Sequence, residues 1–153
     1  AIKSVAINPI FLKLEITESS FIEDDRTISI LHDLKDRGFQ LALDDFGTGY
    51  SSLSYLHSLP IDILKIDKSF IQEMTEQSNK QGLVTAILGI AKTLNMDVVA
   101  EGIETQEQLE KLQALGCDLG QGYWFARPLA AEMASQLLQN PPSWIKQQDW
   151  VPA

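Results

Sequence analysis

The feature that most constrains this chain is a regular alternation of short apolar runs with longer stretches of helical periodicity. Phe11 to Thr17 reads as a strand. Asp24 to Arg37 places Ile28, Ile30, Leu31 and Leu34 on one helix face, and Gly38 is its stop. Gln40 to Asp45 is a second strand, Tyr50 to Leu59 a short helical stretch closed by Pro60, and Ile61 to Asp67 a third strand. Phe70 to Met74 opens a turn or helix, Ser78-Asn79-Lys80 reads as a polar connection, and Gln81 to Leu94 is a helix. Asp97 to Ala100 is a fourth strand. Thr105 to Leu115 is a helix with Thr105 as N-cap, Gln108 at capping-box spacing and Gly116 as its stop. Leu119 to Phe125 is a fifth strand, followed by a helix from Ala130 to Gln139. Such alternation with short connections implies βαβ units and a parallel sheet.

Two architectures satisfy that pattern, an open doubly wound sheet and a (β/α) barrel. No glycine-rich phosphate loop follows the first strand, which weighs against a nucleotide-binding open sheet. A parallel barrel closes with eight strands, whereas five are legible here and the chain starts within a few residues of one. Earlier strands of the same fold are therefore expected outside these 153 residues, with residues 1–139 as a partial domain and 140–153 as a tail carrying Trp144 and Trp150.

Composition narrows the function classes. The apolar fraction of 44% suffices for a packed core. The net charge of −9, from 21 acidic and 12 basic residues, argues against a protein that clamps long nucleic acid, since phosphate neutralisation needs Lys and Arg. It leaves room for a small phosphate ligand met through a carboxylate-held cation. The single cysteine, Cys117, reads as a packed residue in a reducing compartment, and no leader or membrane-spanning run is visible; a cytoplasmic location is expected, with a membrane anchor possible in a longer parent.

Polar residues gather at the C-terminal ends of the strands, the face where parallel barrels carry their sites. Glu15 and Glu18 end or follow the first strand, Asp44 and Asp45 end the second, and Lys65 and Asp67 lie on the third. Glu101 and Glu104 follow the fourth, and Gln121 lies on the fifth. One acid at a strand end means little, because caps and solvated loops use acids freely. Acids at four successive ends, with a lysine among them, form an oxygen-rich set suited to Mg²⁺ or Mn²⁺, and no Cys/His set has zinc spacing.

Asp44 and Asp45 should point to opposite faces of a regular strand. They can share a site where the strand ends and turns, and Gly47 and Gly49 supply that turn. Lys65, inside the apolar run Ile63-Leu64-Lys65-Ile66, needs a partner. A structural ion pair with Asp67 or a neighbouring acid is one reading; orienting water or neutralising phosphate charge is the other. Glu104 shares a capping reading with Glu107, whereas Glu101 does not. Gln121 serves ligand or backbone, and Tyr123, Trp124 and Phe125 read as core.

Five segments, taken in order and spacing, resemble the EAL-domain phosphodiesterases of bacteria. They are Leu14-Glu15-Ile16-Thr17-Glu18-Ser19, Asp44-Asp45-Phe46-Gly47-Thr48-Gly49-Tyr50-Ser51-Ser52, Leu64-Lys65-Ile66-Asp67, Ala100-Glu101-Gly102-Ile103-Glu104-Thr105 and Gln121-Gly122-Tyr123-Trp124-Phe125-Ala126-Arg127-Pro128. The resemblance implies an α/β fold of the (β/α)8 TIM-like barrel type, here an incomplete C-terminal portion with about five parallel strands. It implies hydrolysis of cyclic di-GMP to linear pGpG with Mg²⁺ or Mn²⁺. It marks Glu15, Asp44, Asp45 and Glu101 as metal ligands, Glu101 alternatively as general base, and Lys65 as the residue that holds the catalytic water. By the same resemblance Glu18 anchors the loop from Phe46 to Ser52, a substrate-sensitive dimerisation loop, and Glu104 and Gln121 line the substrate site.

The Glu-Ala-Leu strand that names the family, the Asn ligand after it and an early arginine are absent from these residues, as a block. The expectation is an active whole domain and a weak or inactive fragment; the alternative is a catalytically inactive cyclic di-GMP-binding or dimerisation module. Upstream sensory or GGDEF-type domains fit a parent protein. An open sheet exposing its edges and apolar barrel interior would favour self-association or a homodimer.

Overall fold

The computed structural model describes residues 7–18, 25–49, 56–74, 78–117, 119–140, 142 and 151–152. A 3-10 turn at Pro9–Phe11, capped by Asn8, leads into β1 (Lys13–Thr17). There follow α1 (Asp25–Asp36), β2 (Gln40–Phe46), β3 (Ile63–Ile66), α2 (Lys68–Glu73), α3 (Ser78–Thr93), β4 (Asp97–Glu101), α4 (Gln106–Ala114), β5 (Leu119–Gln121), α5 (Ala131–Gln139) and β6 (Val151–Pro152). The expected helix over Tyr50 to Leu59 lies mostly outside the described residues, as do Ser51, Ser52, Trp144 and Trp150.

All strands are parallel, and the sheet order is the chain order, β1-β2-β3-β4-β5-β6. This is the winding of a barrel wall; a doubly wound sheet reverses its order partway. The sheet has one strand more than expected. Val151 and Pro152, within the segment read as tail, pair with Leu119 and Gly120. Two residues carry no alternation to read, and proline is tolerated at a sheet edge.

Side chains alternate between two cores. Leu41, Leu43, Leu64, Ile66, Val98 and Ala100 pack under the helices with Leu31, Phe70, Ile71, Val84, Ile87 and Leu112. Ala42, Ile63 and Val99 form a smaller buried cluster on the other, barrel-interior face. Every residue of β3 is therefore buried, as expected of a strand covered on both sides. This differs from the expected exposure of the apolar barrel interior: these three residues are buried against one another, and Leu119 beside them is half-buried.

Helix ends follow the sequence signals closely. Thr105 Oγ1 accepts from Gln108 N, and Gln108 Oε1 accepts from Thr105 N, completing the capping box. Gly38 and Gly116 stop α1 and α4 with φ of 90° and 80°. The onset of α3 is different: Ser78-Asn79-Lys80 is its first turn, where Lys80 pairs with Glu73 at 3.2 Å and lies over the Phe70 ring. That tertiary support outweighs the polar character of the segment.

Asp67 caps α2 by accepting from Ser69 N at 3.0 Å. Burial alone would raise its carboxyl pKa, but the Ser69 hydroxyl and backbone bonds outweigh this and hold it below the usual range. A depressed carboxylate stabilises the fold above its unfolded pKa, and that contribution disappears as pH falls through the folded value. Asp67→Ala should therefore cost about 1 kcal/mol at neutral pH. The difference from wild type should shrink below about pH 4, as read from urea midpoints across pH.

Candidate metal centre

Register and one irregularity build the site. Thr17 pairs with Asp44, and Glu101 with Gln121, so the ends of β1, β2, β4 and β5 rise to one rim. Between β2 and β3, Leu43 pairs with Leu64 but Phe46 with Ile66, so β2 carries one extra residue at Asp44-Asp45. Asp45 takes φ of 56°, a left-handed conformation that Asp tolerates better than most residues. This β-bulge brings both carboxylates to one side. The strand does not end at Asp45, as the glycine spacing had implied; it runs to Phe46, and the bulge does the work assigned to the turn.

Asp44, Asp45 and Glu101 each place a carboxylate oxygen within 4.8 Å of the others. Lys65 Nζ sits against this group, 2.8 Å from Glu101 Oε1, 2.9 Å from Glu15 Oε2 and 3.1 Å from Asp44 Oδ1. Its side chain is 7% exposed. The partners of Lys65 are thus the neighbouring acids, while Asp67 turns to its helix cap. Glu15, half exposed, stands outside the trio and joins it through Lys65.

Electrostatics follow from this packing. Burial alone would lower the Lys65 pKa, but hydrogen bonds to Glu101, Glu15 and Asp44 together raise it well above its ordinary value. These three carboxylates favour the charged ammonium. Glu101 is displaced upward, first by burial and further by Asp44 and Glu15, with Lys65 opposing. Four carboxylates (Glu15, Asp44, Asp45, Glu101) against one ammonium leave a formal charge of −3. A hard divalent cation answers both the donor type and the missing charge.

The loop after β2 is held from β1. Glu18 is buried, and its Oε2 accepts from Gly47 N at 2.9 Å and Gly49 N at 3.1 Å. Gly47 takes φ of 96°, and a Cβ there would meet the Phe70 ring at 2.8 Å, so only glycine fits.

Gln121 is exposed and borders a cavity of about 150 Å³ with Lys13, Glu15, Ala42, Ile63, Lys65 and Val99. Glu104 is exposed, and its backbone N–H is taken by Gln108 Oε1; no contact joins its carboxylate to the trio among the described residues. Tyr123 and Trp124 are 54% and 37% exposed, contrary to the core reading. The strand ends at Gln121, and a turn in which Gly122 O accepts from Phe125 N and Ala126 N lifts them away. Phe125 alone packs against the core, and Arg127 stacks on the Tyr123 ring. Cys117 is buried, its Sγ 3.3 Å from Leu119 O. A larger groove of about 550 Å³, lined by Leu88, Met96, Val98 and Leu115 among others, lies between α3 and α4 and shares no residue with the carboxylate cluster.

Fold and site together define a parallel α/β barrel-type domain with a carboxylate–lysine cluster at the C-terminal ends of its strands. The chain belongs to the EAL domain family, whose model matches residues 2–128. It is 42% identical over 140 residues to the cyclic di-GMP phosphodiesterase NbdA of Pseudomonas aeruginosa, covering 91% of this chain and 18% of that protein. It is 46% identical over 128 residues to the bifunctional diguanylate cyclase/cyclic di-GMP phosphodiesterase MucR of the same organism, covering 83% and 19%. The MucR phosphodiesterase structure, a cyclic di-GMP complex, superposes with a TM-score of 0.83 at 42% identity, covering 87% of this chain and 54% of that one. Klebsiella pneumoniae BlrP1, a manganese/cyclic di-GMP complex, gives 0.77 at 35% identity, covering 83% and 33%. The chain thus spans under a fifth of the length of these curated relatives. No helix among the described residues is long and apolar enough to cross a membrane.

Proposed function

We propose that these residues form the C-terminal, cation-binding part of a site that hydrolyses cyclic di-GMP to linear pGpG with Mg²⁺ or Mn²⁺. The observation that carries this reading is the convergence of Asp44, Asp45 and Glu101 within 4.8 Å, beside a buried lysine. Glu15 is a further ligand within reach of the same ammonium. When bound, the cation polarises phosphate oxygens and acidifies a water.

The chain's own residues do the rest. Lys65 offers fixed positive charge to a phosphodiester oxygen or an attacking water. Glu101, its carboxyl pKa pushed up by burial and 2.8 Å from Lys65 Nζ, is suited to accept a proton. The water oxygen bonds to phosphorus as the bond from phosphorus to the ribose 3′ oxygen breaks; the water's proton passes to Glu101, and the departing 3′ oxygen takes a proton from solvent. Glu18 holds the Gly47–Gly49 loop, and Gln121, on the cavity shared with Glu15 and Lys65, and Glu104 are the residues we assign to the guanine or ribose edge. Substrate entry at this loop is also where a second copy would be sensed, with sensory or cyclase domains elsewhere in a parent protein.

A second reading is a cyclic di-GMP-binding or dimerisation module without turnover. It draws on the ligand trio, which comes from β2 and β4 alone, with no Glu-Ala-Leu strand among these residues. For the same reason the 153-residue chain by itself should turn over weakly. Cyclic di-GMP binding and pGpG formation measured on one sample of a longer domain that contains these residues, with Mn²⁺ and then with chelator, separate the two. Metal-dependent pGpG supports the hydrolase; binding without product supports the module.

A further inference from the structure

An ammonium has three N–H donors and no acceptor. In Lys65 the three donors meet three carboxylates, Glu15, Asp44 and Glu101, at 2.8 to 3.1 Å. None remains for a water or a phosphate oxygen. The stem cannot easily turn to find another partner, because Lys65 is buried between strands whose neighbouring side chains, Ile63 and Val99, are buried too. Two of the three carboxylates it holds, Asp44 and Glu101, belong to the trio suited to a divalent cation.

Resting on the metal-site reading above, we infer that Lys65 is a resident counter-cation that competes with the divalent metal for these carboxylate oxygens. Its donors turn to water or phosphate only once the carboxylates are engaged elsewhere. Lys65 thereby makes substrate orientation conditional on a loaded site, and it keeps the carboxylates together in the unloaded protein, where they would otherwise repel. The cost is metal affinity, since a fixed positive charge 2.8 Å from a ligand carboxylate opposes a second cation there.

The test uses Mn²⁺ alone as probe, with no substrate. Free Mn²⁺ is followed by electron paramagnetic resonance, and melting temperature is read with and without Mn²⁺. Lys65→Met should bind Mn²⁺ at least about tenfold more tightly than wild type, a difference of about 1.4 kcal/mol. It should also melt lower without metal and gain more from it. Lys65→Arg, which keeps the charge, should stay near wild type. Should Lys65→Met fail to fold without metal, Lys65→Gln provides the same comparison with its polar end retained. Equal or weaker Mn²⁺ binding by the neutral variants overturns the inference. If wild type shows no saturable Mn²⁺ binding, or Asp44→Asn leaves that binding unchanged, the metal-site reading itself has failed.

Discussion

Asp45→Asn should lower metal-dependent cyclic di-GMP turnover by at least about a hundredfold in a domain that contains these residues, since even outer partners of metal ligands are worth 10- to 100-fold. The same change should leave the unloaded fold intact or slightly more stable. Asn tolerates the left-handed backbone that Asp45 adopts, with φ of 56°, so the bulge survives. The carboxylate lost is one of three crowded within 4.8 Å, and its removal relieves repulsion. Steady-state kinetics and a melting curve on the same preparation separate the effects. A large loss of turnover with an unchanged melting temperature assigns Asp45 to the chemistry; parallel losses would assign it to the fold.

Gly122→Ala should have the largest effect on stability. A Cβ at Gly122 would lie 2.1 Å from Ile103 O and 2.3 Å from Ile103 N. Both are backbone atoms and cannot rotate aside. The same stretch holds the loops after β4 and β5 together, with Ile103 N donating to Gln121 O and Trp124 N donating to Ile103 O. A clash of this kind belongs with the severe classes of point mutation, at about 3 kcal/mol or more. For a domain of this size that is a fall of about 10 °C in melting temperature. Gly89→Ala in α3 is the control: a Cβ there meets nothing within 4 Å, and the helix should gain about 0.5–1 kcal/mol. A mild effect at Gly122 would mean that the two loops separate easily and do not fix Glu101 beside Gln121.

Much of this architecture was legible because its signals are local. The capping box at Thr105 and Gln108, and the stops at Gly38 and Gly116, depend on neighbours within a few residues. The alternation of Leu41, Leu43 against Ala42, Asp44 likewise reads directly as two faces of a strand. What escaped was set by contacts distant in sequence. The bulge at Asp44-Asp45 exists only in the pairing of β2 with β3, so a strand-end turn seemed the natural way to join two carboxylates. Helix α3 starts at Ser78 with Lys80 reaching Glu73 and Phe70. Tyr123 and Trp124 read as a buried apolar run, but the approach of Gly122 to Ile103 ends the strand early.

The site divides the same way. Acids at successive strand ends announced the trio, since a parallel sheet must bring those ends together. That Lys65 would meet Glu15, Asp44 and Glu101 simultaneously follows from register and could not be read from spacing. Glu104, three residues beyond Glu101, is exposed next to a helix cap and lies outside the trio.

The central claim is that Asp44, Asp45 and Glu101 hold a divalent cation. It is tested most directly by titrating the purified 153-residue chain with Mn²⁺ and following the free ion by electron paramagnetic resonance, beside Asp44→Asn. Saturable binding that weakens at least about tenfold in the variant is the predicted result. Absence of saturable binding, or binding that Asp44→Asn leaves unchanged, would contradict it.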